Sequence, residues 1–322
     1  MKLLPAAQFS EAAQDELIAK AWTGTFLHTR RYLAHQGSRF RDVSLAICDD
    51  DGGLIALFPA AVDPGDETRV VSHPGLTYGG ILHDGRLRGE TMLEALIAIS
   101  RSYAEQGFRA LRYKTVPYIY HTVPAGDDLY ALFRLSARRY RCDLLSTIDL
   151  SDRPAPSGRR RRGLKNASKA GVQVREGAEF IPALWTVLEE NLARKHGVRP
   201  VHTAAEMAQL QGLFPERIRI VAGLVGDEVH AGVVLFATPR VVHAQYIASS
   251  TLGYQLAALD AVFDQCIAGA AESGARYFDF GSSTDEEGWS LNTGLFQFKS
   301  EFGAGAVAHE FYELDLPLQM TR

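Results

Sequence analysis

Residues 277–304 read YFDFGSSTDEEGWSLNTGLFQFKSEFGA. Tyr277-Phe278-Asp279-Phe280 alternates in the way that predicts the end of a buried strand. Gly281 and the polar SSTDEEG segment break that strand. Asn292 or Thr293 is placed to cap a short helix whose apolar residues Leu295, Phe298 and Phe302 recur at spacings of three and four. Lys299 rides on that helix with Leu295, Phe296, Phe302 and Gly303 three and four residues away. None of these is acidic, so no ion pair within the helix accounts for it. Two readings stand: a lysine that runs its stem along the aromatics and sends its ammonium to solvent, or one fixed for chemistry. Asp279-Phe280-Gly281 also matches the metal-binding triplet of protein kinases. A Gly-rich loop with a following Val-Ala-x-Lys strand and a His-Arg-Asp run are both missing, which excludes a kinase.

Working outward, 322 residues suit two domains or one large one with an ample core. A net charge of −4 disfavours global attraction to nucleic acid or to an anionic membrane, and DNA is not expected as a partner. Cys48, Cys142 and Cys266 are scattered in apolar surroundings, which predicts buried free thiols and a reducing compartment. The ten histidines form no His-x-x-x-His pattern, so no metal site is expected. The N-terminus lacks the apolar run of a signal peptide, and no stretch of 18 apolar residues occurs. The expectation is a cytoplasmic protein without a transmembrane segment.

The first half predicts helices over 10–36, then a hairpin of strands 44–49 and 54–62 turning at Asp50-Asp51-Gly52-Gly53. A bent strand follows over 69–82, then a helix 89–106 ended by Gly107, a strand 110–118, a helix 129–140 and a strand 143–150. The second half repeats that order. Helices near 178–196 and 203–212 precede a hairpin turning at Gly226-Asp227, a strand 241–250, a helix 254–273 ended by Gly274, and strands 277–281 and 306–315. Setting Gly107 on Gly274 superimposes Met92, Leu96 and Ile99 on Leu259, Phe263 and Cys266, and brings Tyr78 within one position of Tyr246. A period of about 167 residues predicts a duplicated α/β domain. The boundaries expected are 1–151 for the first subdomain, 152–171 for a basic linker and helix start, and 172–322 for the second.

This order of elements is that of the Gcn5-related N-acetyltransferase (GNAT) superfamily. Three segments sharpen the likeness. Thr147-Ile148-Asp149-Leu150-Ser151, with the basic run and Lys165-Asn166-Ala167-Ser168-Lys169 after it, resembles the interdomain junction of FemAB-type peptidyltransferases. Tyr277–Gly281 with Asn292-Thr293-Gly294-Leu295 and Phe298-Lys299 resembles their C-terminal signature, and Pro74–Gly80 is similar to a segment of their N-terminal subdomain. The resemblance implies an α/β (α+β) fold of two tandem GNAT-like subdomains, each a mixed, mostly antiparallel sheet flanked by helices. It implies transfer of an acyl or aminoacyl group to a primary amine of a small molecule or cell-envelope precursor. The donor would be acyl-CoA or aminoacyl-tRNA, with no tightly bound cofactor. The long helical arm of the peptidoglycan enzymes is not present in the sequence.

Acyl transfer to an amine needs an acceptor for the amine's proton and a charge to meet the developing oxyanion. Lys299 occupies the family's catalytic-lysine position and is the candidate for that charge. Asp279 is a candidate for a catalytic or amine-orienting role and equally suits a structural one; Tyr246 is a candidate for donating a proton or shaping the channel, and core packing is the account its position favours. Arg159-Arg160-Arg161-Arg162-Gly163-Leu164-Lys165 is the dense cationic segment, readable as a solvated linker or as a grip on the polyphosphate of a tRNA acceptor end, CoA or a nucleotide sugar. Arg160, Arg161, Arg162 and Lys165, with Tyr78 and Asn292, are therefore the candidate substrate- and phosphate-binding residues. The usual pyrophosphate loop is incomplete in both HDGRLRGET (83–91) and SSTLGYQLA (249–257). A second reading follows from that gap: a non-catalytic protein whose cleft binds a nucleotide sugar or peptide precursor.

Overall fold

The computed structural model describes residues 1–196 and 200–318. Two compact units divide the chain. The first takes Met1–Asp143, Glu286–Trp289 and the chain from Ala308 on; the second takes Leu144–Asp285 and Ser290–Val307.

In the first unit β1 (Lys2–Pro5) is followed by α1 (Glu11–Lys20) and α2 (Arg30–His35). Ser10 and Thr29 start these helices by accepting from the amides of Ala13 and Tyr32. β2 (Leu45–Cys48) and β3 (Leu54–Phe58) form the expected hairpin, its turn tied by the Gly53 amide donating to Asp49 Oδ1 at 2.7 Å. The strand expected over 54–62 is cut at Pro59, which has no N–H to give a ladder, and resumes in another sheet as β4 (Ala61–Asp63). β5 (Asp66–Val71) stops short of the bent strand expected to 82. Residues 72–81 form a loop in which His73 and Gly80 take φ of 53° and 88°, before the two-residue β6 (Leu82–His83). α3 (Glu90–Glu105) leads to β7 (Ala110–Lys114), which ends before Pro117 and not at 118. α4 (Asp127–Arg134) replaces the helix expected over 129–140; Ser136, at φ 55°, turns the chain out of it into β8 (Arg138–Asp149).

The second unit opens on the last six residues of β8. The expected linker is largely a helix, α5 (Gly158–Lys169), capped by Ser157. β9 (Gln173–Glu176), α6 (Ile181–His196), α7 (Ala204–Leu213), β10 (Ile218–Val225), β11 (Glu228–Ala237) and β12 (Val241–Ser249) follow. The helix expected over 254–273 is two, α8 (Thr251–Gln255) and α9 (Ala258–Glu272), separated by left-handed Ala257. Then come β13 (Tyr277–Ser282), the small hairpin β14 (Thr284–Asp285) and β15 (Ser290–Leu291), α10 (Thr293–Ser300) and β16 (Gly305–Asp315).

The two units are wound alike. The second orders its strands β9-β10-β11-β12-β13-β8, antiparallel throughout except the parallel pair β12–β13. The first is split between two sheets, β1-β2-β3-β6 and β4-β5-β7-β16, and is antiparallel except for the parallel pair β5–β7. Both parallel pairs are bridged by a helix, α3 or α9. Each helix ends in the same Schellman pattern, Gly107 and Gly274 at positive φ with Phe108 N bonded to Tyr103 O and Ala275 N to Ala270 O. One difference from the expected repeat is instructive: β8 and β16 each leave the unit they grow from and close the other. Phe58, Leu96, Tyr103 and Tyr113 centre the first core; Phe263, Phe278, Phe280 and Phe302 centre the second. All three cysteines are free thiols, but Cys142 is only half-buried.

Candidate active site

The second unit's parallel pair holds together over three residues only: Val241 beside Tyr277, Val242 beside Phe278, His243 beside Asp279. Beyond them the strands part. β12 carries a bulge around Gln245, since Ala244 faces Leu235 and Tyr246 faces Val234. β13 turns at Gly281, φ 74°, where its register against β8 also shifts. Phe278 and Phe280 pack on Phe263 of α9, at centroid distances of 6.2 and 4.9 Å. Strand alternation therefore puts Asp279 on the opposite face.

Asp279 is 1% exposed and fully engaged there. Its Oδ1 accepts from Thr147 Oγ1 at 3.1 Å and from the Gly281 amide at 2.9 Å; its Oδ2 lies 2.9 Å from His243 Nδ1. Thr147 comes from the junction motif and Asp279 from the C-terminal one, so two segments 132 residues apart meet in one hydrogen bond. His243 is not a candidate from sequence. A single histidine in VVHAQYIASS carries no local signal, and only its strand-to-strand register with Asp279 gives it a partner.

Lys299 sits in α10, whose start is set by Asn292 accepting from the Leu295 amide at 3.0 Å. Phe298 and Phe302 pack on Phe263, which turns Lys299 toward β13. Its ammonium does not reach solvent. At 2% exposure it donates to the carbonyls of Gly281 and Ser282 at 3.0 and 2.5 Å. Burial pulls its pKa down to about 8, with the negative charge of Asp279 opposing the shift. Tyr246 is half-buried, its hydroxyl 2.6 Å from His202 Nδ1 and its ring 5.3 Å from Trp185. Lys299, Asp279 and Tyr246 thus all belong to the parted strands or to the helix packed on β13.

The other candidates scatter. Arg160 faces inward: it donates to Asp260 Oδ2 at 3.1 Å, lies 3.0 Å from Glu301 Oε2, and sits 4.7 Å from the Phe298 ring centroid. Gly163, one turn on, leaves room for Asp260, since a Cβ there would stand 2.3 Å from Oδ1. Burial raises the Asp260 pKa to about 6; Arg160 lowers it and Glu301 adds to the rise. Arg161, Arg162 and Lys165 lie on the exposed side of α5, and Arg161 also donates to Pro156 O. Asn292 is a helix cap. Tyr78 is buried in the first unit, in the 72–81 loop, donating to Thr25 Oγ1 and leaning on Tyr120. It does not occupy a strand position equivalent to that of Tyr246.

The first unit repeats the parting strands without the polar pair. β5 and β7 pair over Arg69–Ala110, Val70–Leu111 and Val71–Arg112, so Val71 and Arg112 stand where His243 and Asp279 stand in the second. Lys114 holds the position of Gly281. Its ammonium fills the gap, donating to the carbonyls of His73, Pro74 and Leu76, and burial lowers its pKa to about 7. Among the described residues no cluster of three or more metal-ligating side chains occurs, and no helix is long and apolar enough to cross a membrane.

Residues 157–299 match the family model of the acetyltransferase (GNAT) domain, which covers most of the second unit. The whole chain shares its fold with solved structures at low sequence identity, a tandem GNAT protein among them. It is similar to the crystal structure of FemX at 12% identity and a TM-score of 0.69, covering 97% of both chains. It is similar to L-PGS from Bacillus licheniformis at 13% identity and a TM-score of 0.61, covering 94% of this chain and 91% of that one. A tandem GNAT protein from the clavulanic acid biosynthesis pathway aligns at 12% identity and a TM-score of 0.55 over 98% of each chain. Comparison with curated proteins gives no match.

Proposed function

We propose that this protein is an N-acyltransferase that moves an acyl or aminoacyl group, from acyl-CoA or aminoacyl-tRNA, onto a primary amine of a small molecule or cell-envelope precursor. The observation that carries the reading is the parting of β12 from β13 after three residues, inside the segment that matches the GNAT domain. Strands that separate leave edge N–H and C=O groups facing a gap, and an extended donor arm can satisfy them as an added strand would. Lys299 stands at the end of β13 with its charge in a dry setting, where it counts for most against an oxyanion. Asp260 and Arg160 already occupy the first turn of α9, so the donor's phosphates fall to the exposed face of α5, with Arg161, Arg162 and Lys165. The gap of the first unit is filled by Lys114, which supports the second as the place of the chemistry.

Thermal denaturation with CoA, aminoacyl-tRNA and UDP-linked sugars tests this. A donor that binds the folded state alone stabilises it by about 2.7 kcal/mol at a hundred times its Kd. Stabilisation by CoA or aminoacyl-tRNA, lost when Gly281 is replaced by Leu to fill the gap, is the expected result. Stabilisation by the UDP-sugars alone would favour a binding protein.

A further inference from the structure

We propose that His243, oriented by Asp279, is the base that takes the proton from the acceptor amine; this rests on the acyl-transfer reading and names the residue that reading lacks. Asp279 has its carboxylate fixed by Thr147 and by the Gly281 amide, so its Oδ2 can only accept, and His243 must donate through Nδ1. The neutral ring therefore keeps its lone pair on Nε2. Among the described residues Nε2 has no hydrogen-bond partner, and 13% of the side chain remains exposed. Gly281 keeps that edge clear: a Cβ there would stand 3.1 Å from His243 Cε1 and 4.0 Å from Nε2. The bulge in β12 puts Tyr246 on the same face of the sheet, because Val234 and Phe236, two apart on β11, pair with Tyr246 and His243. The first unit, with Val71 and Arg112 at these positions, has neither member of the pair.

The step balances as follows. The amine nitrogen forms its bond to the acyl carbon of the thioester or ester donor, and its proton passes to His243 Nε2. The tetrahedral oxyanion collapses, the bond to sulfur or oxygen breaks, and the leaving group recovers the proton from the imidazolium. Asp279 supports the imidazolium without being protonated.

The test combines two readouts on the full chain. Nitrogen-15 spectra of histidine-labelled protein, recorded across pH, are expected to show the neutral form of His243 with its proton on Nδ1; a neutral form with its proton on Nε2 overturns the proposal. Transfer is then measured for wild type and His243→Gln with acetyl-CoA and aminoacyl-tRNA against a panel of primary amines, with melting curves and donor-induced stabilisation recorded for both. The variant is expected to melt and bind donor as wild type does, while transfer falls about a hundredfold or more. Hydroxylamine, a weakly basic amine whose tetrahedral adduct gives up its proton to water more readily, should shrink that deficit. Equal transfer by both proteins overturns the base and leaves the acyltransferase reading standing. Transfer by neither overturns both.

Discussion

At the scale of single residues, Lys299 shows what a sequence discloses and what it hides. The absence of any acidic neighbour three or four positions away marks it as unexplained by its own helix. Its partners are carbonyls of β13, seventeen and eighteen residues back, brought near by the packing of Phe298 and Phe302 on Phe263. Lys299→Met keeps the stem and removes the charge. The variant is expected to remain folded, since two carbonyls losing a donor costs on the order of 1–3 kcal/mol each. Transfer should fall by about a hundredfold, the equivalent of about 3 kcal/mol of oxyanion stabilisation. Near-wild-type turnover in a variant with a cooperative melt would assign Lys299 to holding β13. Asp279 is legible from its strand, but His243 is not, because a strand pairing between distant segments leaves no trace in either one.

At the scale of elements, α5 divides a run of like residues by geometry. Four consecutive arginines look equivalent in sequence, yet a helix sends them in four directions about 100° apart. Arg160 is the buried one: it meets Asp260 on α9 and Glu301 at the end of α10, while exposed Arg159 lies 3.8 Å from Glu301. Arg160→Gln should therefore act on stability and not on ligand binding, lowering it by roughly 3–5 kcal/mol because the buried Asp260 is left without its ion-pair partner. That loss should be smaller at pH 5 than at pH 8. Asp260, with a pKa of about 6, takes up a proton below that pH and no longer needs the guanidinium. Equal losses at the two pH values would contradict this. Replacing Arg161, Arg162 and Lys165 by Gln should leave the melt unchanged and flatten the salt dependence of aminoacyl-tRNA binding. The log–log slope should drop by roughly 0.7–0.9 for each phosphate no longer neutralised. Other element-level expectations fail for local reasons: Pro59 cuts a strand, Ser136 ends a helix and Ala257 splits one. Neither left-handed turn, at Ser136 or Ala257, is announced by a glycine, which is why periodicity runs through both.

At the scale of the molecule, the duplication is legible through Gly107 and Gly274, since both helices must end where a left-handed residue is tolerated. The strand exchange is not, because β8 and β16 have the same pattern whichever unit they close. The duplicated gap also makes a prediction about stability. Lys114 has a pKa of about 7 when folded, against about 10.4 in an unfolded chain. Folding thus disfavours its charged form, the unfolded chain binds more protons between these values, and stability should rise with pH across that window. Lys299, with a pKa of about 8, adds to the rise above pH 8. Urea unfolding at about pH 7 and about pH 9.5 should show the increase in wild type and a weaker one in Lys114→Met; an identical increase in both would contradict the assignment.

The central claim is that the second unit makes an amide bond. Its most direct test is product detection: the purified chain incubated with isotope-labelled acetyl-CoA or aminoacyl-tRNA and a panel of primary amines, with the labelled amide identified by mass spectrometry. The structure predicts labelled amide formed by wild type and by the Arg161, Arg162 and Lys165 variant at high donor concentration, and about a hundredfold less by folded Lys299→Met. No labelled amide from either donor, under conditions where that donor raises the melting temperature, would contradict it.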